Sequence, residues 1–168
     1  PSTGAEIVDY APDSDRIAYA ARLAAAQIRL KRTPRAERRV AIILANYPAR
    51  DGRLANGVGL DTPAACMEVL RALRSAGYGV EDLPPDGGAL LRRLAAGPTN
   101  AGVTGRELRV CLKLADYREF FAALPGAIQA SVTERWGAPE SDRYFLAQER
   151  GFSLPVLRLG EIVVALQP

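Results

Sequence analysis

The side chains best suited to chemistry gather in one stretch, Asn46 to Pro63. Arg50 and Arg53 can each make paired hydrogen bonds to a carboxylate or phosphate. Asn46 and Asn56 offer both a donor and an acceptor. Gly52, Gly57 and Gly59 let a backbone turn sharply or approach a ligand closely. Asp61-Thr62-Pro63 reads as a helix start, with Thr62 at the cap and Pro63 in the first helical position. Free N–H groups there favour an anion. The spacing fits neither a dinucleotide fingerprint nor a phosphate-binding P-loop. Two readings stay open from the pattern alone. Either the stretch binds a ligand through Asn46, Arg50, Arg53, Asn56 and Asp61, or its glycines only shape a long connection, its arginines are solvated and Asp61 and Thr62 only cap. Long irregular segments in compact domains are usually functional.

Histidine is absent from all 168 residues. The commonest general base, the commonest zinc ligand and most catalytic triads go with it. Cys66 and Cys111 are far apart among apolar neighbours, and are expected to be buried, reduced thiols rather than a disulfide or metal pair. Asp116 with Glu119 resembles a helix capping box more than a catalytic acid pair. Tyr144, Phe145, Phe152 and Trp136 read as packing residues, and Glu134 as surface.

The elements that must position these groups follow from periodicity. Residues 1–12 carry little pattern and are expected to be an extended lead-in. Asp13 or Ser14 caps a helix with an apolar stripe, Ile17, Ala20, Ala21, Ala24 and Ile28, that Pro34 ends. Val40 to Ala45 is apolar on both alternating faces, as in a central strand covered on both sides of a parallel sheet. Cys66, Val69, Leu70 and Leu73 line the helix after Thr62, and Gly77 closes it. Tyr78 to Leu83 reads as a second strand, completing a βαβ unit. Asp86 caps a shorter helix that ends at Gly97-Pro98. Two further helices span about 115–137, the second lined by Ile128, Val132 and Trp136. Leu154 to Leu159 and Glu161 to Leu166 read as closing strands around Gly160. The expected fold is α/β: a Rossmann-like βαβ unit with a small, mostly parallel sheet and an attached helical segment. Residues 13–168 form one domain, or a piece of a larger subunit.

The net charge of +3 is small and carried by arginine, Lys31 and Lys113 being the only lysines. The one dense basic run, Arg29, Lys31, Arg32, Arg35, Arg38 and Arg39, straddles a helix end, where cations meet the negative pole of the dipole. It lacks interleaved aromatics for stacking on bases, so nucleic acid is not an expected partner. No apolar run reaches the roughly 18 residues of a membrane span, and no leader pattern opens the chain. The sequence starts without methionine and stops within an apolar strand, as expected of a piece cut from a longer protein.

Several separated motifs, in order, carry a family resemblance. They are Arg38-Arg39-Val40-Ala41-Ile42-Ile43-Leu44-Ala45-Asn46-Tyr47-Pro48, Asn56-Gly57-Val58-Gly59-Leu60-Asp61-Thr62-Pro63, Ala76-Gly77-Tyr78, Thr133-Glu134-Arg135-Trp136-Gly137-Ala138-Pro139-Glu140, and Leu157 to Pro168. From about Ile17 onward the chain resembles the cobaltochelatase large subunit, whose family includes the large subunit of magnesium chelatase. The asparagine–tyrosine–proline strand end looks more like the cobalt branch. The resemblance implies a much longer, cytoplasmic subunit that binds a tetrapyrrole-like macrocycle. It implies AAA+ ATPase partners and insertion of a divalent metal at the expense of ATP-Mg. In the cobalt branch Co2+ enters hydrogenobyrinic acid a,c-diamide, on the aerobic route to cobalamin. It implies neither a catalytic nor a metal-ligating residue in this stretch, nor a resident cofactor. Ala45 stands where the family pattern suggests a polar residue. A domain that contacts the ATPase partners, and a self-contained small enzyme holding a phosphate at Thr62, are the competing readings.

Overall fold

The computed structural model describes residues 11–46, 54–57, 59–108 and 111–167. The expected lead-in therefore lies almost wholly outside the described residues. The chain falls into two compact units, residues 1–34 and 35–168. The first holds one helix, α1 (Ser14–Arg32), and Asp13 caps it by accepting the N–H groups of Asp15 and Arg16. Along its apolar stripe α1 has no buried residue, and Ile17 and Ile28 stand open.

The second unit opens with β1 (Val40–Leu44) and α2 (Thr62–Ser75). The cap of α2 is Asp61, one residue earlier than expected, with Thr62 already helical. The helix ends in a Schellman motif, Tyr78 N–H to Leu73 O and Gly77 N–H to Arg74 O, both 3.0 Å. Asp86 caps α3 (Gly87–Ala96), its Oδ1 accepting from Ala89 N–H at 2.7 Å. Then come β2 (Leu112–Lys113), α4 (Leu114–Ala122), α5 (Gly126–Trp136), β3 (Phe145–Leu146), β4 (Gly151–Phe152), β5 (Val156–Leu159) and β6 (Ile162–Leu166).

The α/β class holds, in small sheets. One sheet is ordered β1-β6-β5, with β1 parallel to β6 and β5 antiparallel to it. The other, β2-β4-β3, is antiparallel throughout. Among the described residues the parallel content is thus the single β1–β6 ladder. Tyr78 to Leu83 does not form the expected second strand. It makes only a bridge from Val80 to Gly160, and the parallel partner that closes the crossover from β1 is β6. Nor is β1 central. It is an edge strand, and Ala41 and Ile43 face outward and exposed.

Alternation explains which face is buried. Leu44 from β1, Leu157 and Leu159 from β5, and Ile162, Val164 and Leu166 from β6 share one face of the sheet. That face packs against Cys66, Met67 and Leu70 of α2 and Leu90 and Leu94 of α3. The β5–β6 hairpin turns at Gly160, where φ is +70° and a Cβ would stand 2.5 Å from Gly79 O. Only glycine fits there.

Three expectations fail in the later half. Asp116 and Glu119 form no capping box, because Lys113 is still paired in β2 when α4 begins. Along α5, Val132 is half-buried but Ile128 and Trp136 are exposed, Trp136 at 64%. Cys111 is exposed rather than buried. Tyr144, Phe145 and Phe152 do pack. Phe152 meets the rings of Phe145 and Tyr117, and Tyr144 donates its hydroxyl to Thr99 O at 2.9 Å.

Candidate functional site

Strands β1 and β6 run the same way, so their carboxyl ends meet at one edge, where Leu44 pairs with Leu166. Open α/β sheets bind ligands just beyond such an edge. The Gln167 N–H donates to Leu44 O at 3.0 Å and extends the ladder one step past the strands. Two arms of chain then rise from this edge.

The first arm is the segment singled out from sequence. Asn46 is buried, and its Oδ1 accepts the buried N–H of Ala55 at 3.3 Å. The chain leaves the edge at Asn46 and is held back to it at Ala55. Ala55 is itself buried, with φ at +56°, a region that costs an L-residue roughly 1–2 kcal/mol. Leu60 N–H then donates to Gly57 O at 3.3 Å, making a tight turn into α2. A Cβ on Gly57 would stand 2.6 Å from Thr62 Oγ1, so a larger residue there would have to displace the Thr62 hydroxyl. Asp61 Oδ1 accepts from Ala64 N–H at 3.0 Å.

Of the five residues expected to bind, Arg50 and Arg53 lie outside the described residues, between the two anchors. Asn46 and Asp61 hold the backbone, one closing the arm's base and the other capping α2. Asn56 is half-buried and engaged within the protein.

The second arm went unread in the sequence. Thr99 and Gly102 exchange backbone hydrogen bonds of 3.2 and 2.8 Å around a tight turn, and Thr99 is fully buried. Asn100 Nδ2 donates to Gln167 O at 2.8 Å, tying this turn to the exit of β6. Arg143 donates to Asn100 O at 3.3 Å. The Asn100 Oδ1 is buried and has no hydrogen-bond partner among the described residues. A Pro-Thr-Asn turn signal was visible, but nothing local reveals a partner at residue 167.

The edge is thus a hydrogen-bonding rim of amides, hydroxyls and backbone. Among the described residues no group of three or more His, Cys, Asp or Glu is placed to hold a metal ion. Among the described residues one titratable group departs clearly from its ordinary value: burial pushes the Cys66 thiol up. Half of the basic run is tied down in the second unit. Arg35 donates to Ala76 O at 3.2 Å, Arg38 lies over the Tyr78 ring at 5.9 Å, and Arg39 pairs with Glu161 at 3.3 Å. No helix of the described residues is long and apolar enough to cross a membrane.

A profile of the CobN/magnesium chelatase family matches residues 1–168. The chain is 51% identical over 164 residues to an aerobic cobaltochelatase subunit CobN from Sinorhizobium sp, a match covering 98% of the chain and 13% of that protein. It is 45% identical over 166 residues to a CobN subunit from Pseudomonas aeruginosa, covering 97% and 13%. It superposes on the catalytic subunit of cobaltochelatase from Mycobacterium tuberculosis with a TM-score of 0.71 at 32% identity, covering 95% of the chain and 13% of that structure. The chain belongs to the CobN/magnesium chelatase family and spans about an eighth of the length of these relatives.

Proposed function

We propose, from that membership, that the chain is a segment of the large subunit of an ATP-dependent cobaltochelatase. In this reading the subunit holds hydrogenobyrinic acid a,c-diamide while Co2+ is inserted, with AAA+ ATPase partners coupling ATP hydrolysis to the step. The segment itself helps to wall the macrocycle cavity. The relatives at 51% and 45% identity carry cobaltochelatase names, which favours cobalt and the cobyrinic ring over magnesium and protoporphyrin IX.

The observation that carries the local part is the Asn46–Ala55 hydrogen bond at the carboxyl edge of β1 and β6. Both ends of the intervening stretch are fastened at the sheet edge where α/β proteins hold ligands. Arg50 and Arg53 lie within it. The macrocycle, an acid bearing two amides, has carboxylates at its periphery, and guanidinium groups pair with carboxylates through two parallel hydrogen bonds. Arg50 and Arg53 therefore serve as carboxylate clamps. Asn46, Asn56 and Asp61 shape the arm that presents them.

The test is an equilibrium titration of the full-length subunit with the macrocycle, following fluorescence quenching. A hydrogen bond to a charged group contributes about 1.5–3 kcal/mol, so Arg50→Ala with Arg53→Ala should weaken binding by at least about tenfold. Affinity equal to that of the unaltered subunit would remove the arginines from the cavity.

A further inference from the structure

Gln167 joins the roots of the two arms. Its N–H donates to Leu44 O at 3.0 Å, two residues before Asn46, and its C=O accepts from Asn100 Nδ2 at 2.8 Å. The second arm therefore rises from the same carboxyl edge as the first. It is also fastened to residues 143 and 144. Tyr144 donates its hydroxyl to Thr99 O at 2.9 Å, and Arg143 Nη1 donates to Asn100 O at 3.3 Å. The backbone beside Arg143 is held in turn, since Asp142 Oδ1 accepts from Tyr144 N–H at 2.8 Å and Tyr144 O accepts from Ser153 N–H at 3.0 Å.

Arg143 is exposed and pairs with no carboxylate among the described residues. Other arginines of this unit are neutralised within it: Arg39 and Arg158 by Glu161, Arg71 by Glu68 and Arg118 by Glu140. One N–H of the Arg143 fork is used on Asn100 O, and the rest stay open in the plane that matches a carboxylate. The same turn leaves a second polar atom unmet. Asn100 Oδ1 is buried without a partner among the described residues, whereas buried polar atoms ordinarily meet protein, water or a bound molecule. We propose that the second arm is a further wall of the macrocycle site, where Arg143 binds a peripheral carboxylate of the ring and Asn100 is the positioning residue that fastens it to the edge. This inference rests on the macrocycle reading above and deepens it, adding a contact on the other side of Gln167 from Arg50 and Arg53.

Titration of the full-length subunit with hydrogenobyrinic acid a,c-diamide at a series of salt concentrations tests it. Arg143→Ala should weaken binding about tenfold at low salt, and the deficit should shrink as salt rises, because an exposed charge pair is screened. Unchanged affinity overturns the proposal. A deficit that stays constant across the salt series overturns it too, since Arg143 would then only shape the turn. Arg143→Lys keeps the charge without the fork and should fall between the two. Asn100→Ala should also weaken binding, and adding Arg143→Ala to it should cost much less than Arg143→Ala costs alone, because the arginine acts through the anchored turn. Fully additive losses would refute the positioning role of Asn100. An Arg50→Ala, Arg53→Ala subunit titrated alongside separates the two readings. Loss there with full affinity in Arg143→Ala sinks this inference alone, whereas loss in Arg143→Ala with none there removes the first arm and keeps the second.

Discussion

Replacing Asn46 by alanine isolates what holds the base of the first arm. The Asn46 Oδ1 is the acceptor for the buried N–H of Ala55, at 3.3 Å. Without it that donor is buried and unpaired, and an orphaned buried donor costs about 1–3 kcal/mol. Ala55 sits at φ +56°, so release of the arm also relieves a strain of roughly 1–2 kcal/mol. Both effects favour the same event, local opening of residues 46–57 rather than global unfolding. Hydrogen exchange read by mass spectrometry reports that event directly. Taking the hydrogen-bond cost alone, the Ala55 amide should exchange about five to 150 times faster in Asn46→Ala. Amides in β6 should keep their protection. Asn46→Asp retains an oxygen at the same position and should leave the Ala55 amide close to its original rate. Two results would refute the reasoning. Unchanged exchange at Ala55 would mean the arm is held by something else. Equal acceleration across β6 would mean Asn46 supports the core rather than the arm.

Other perturbations probe the frame around the edge. Gly160→Ala forces a Cβ to 2.5 Å from Gly79 O at φ +70° and should destabilise the hairpin by about 2–4 kcal/mol, read as lost exchange protection across β5 and β6. Tyr144→Phe removes the donor to Thr99 O and should cost about 0.5–1.5 kcal/mol, seen as faster exchange around residues 99–102 with the hairpin unaffected. Burial raises the Cys66 thiol above its ordinary 9.0, so the folded state holds the proton more tightly than the unfolded state. That contribution is complete below 9.0 and is lost as pH climbs toward the raised folded value, so chemical denaturation should show stability falling in that alkaline window. The slope should shrink in Cys66→Ala. Under native conditions Cys111, exposed, should react with a thiol reagent well before Cys66.

The helices of the first hundred residues were legible because their ends are written in the chain. Asp13, Asp61 and Asp86 each accept a helical N–H group, and Pro34, Gly77 and Gly97-Pro98 mark the stops. Strand partners were not written there. Period-two alternation says which faces are apolar and nothing about which strand lies alongside, so Tyr78 to Leu83, the next apolar run after α2, reads as the partner of β1. Local backbone decides it: Asp82 takes a left-handed φ of 48° and Pro84-Pro85 follow, while five consecutive residues of β6 match β1 in register. The capping-box spacing at Asp116 misled for a related reason, because Lys113, three residues earlier, is claimed by a strand from residues 151–152. At the site, the first arm was visible because glycines and Thr62-Pro63 are local signals. The second arm rests on contacts between residues 67 and 45 positions apart, Asn100 to Gln167 and Tyr144 to Thr99, which no window along the sequence contains.

The geometry of the first arm bears on whether it is only a connection. A strand and a helix can be joined by a handful of residues in relaxed conformations. Here the chain instead takes more than a dozen. It buries an asparagine to fasten a backbone N–H, holds an alanine in a left-handed conformation, and brings Gly57 against the Thr62 hydroxyl. The left-handed alanine disfavours folding unless the surroundings compensate, and such strain gathers where a protein must present groups in a fixed arrangement. A passive linker gains nothing from it. On the macrocycle reading proposed above, an arm fastened at both ends would gain orientation that a relaxed loop would have to establish at each binding event. Substituting Ala55→Gly sharpens the distinction. Relief of the left-handed strain and loss of a buried methyl roughly cancel in stability, each about 1 kcal/mol. The arm is nevertheless freer, so macrocycle affinity should fall while the folded state is no weaker.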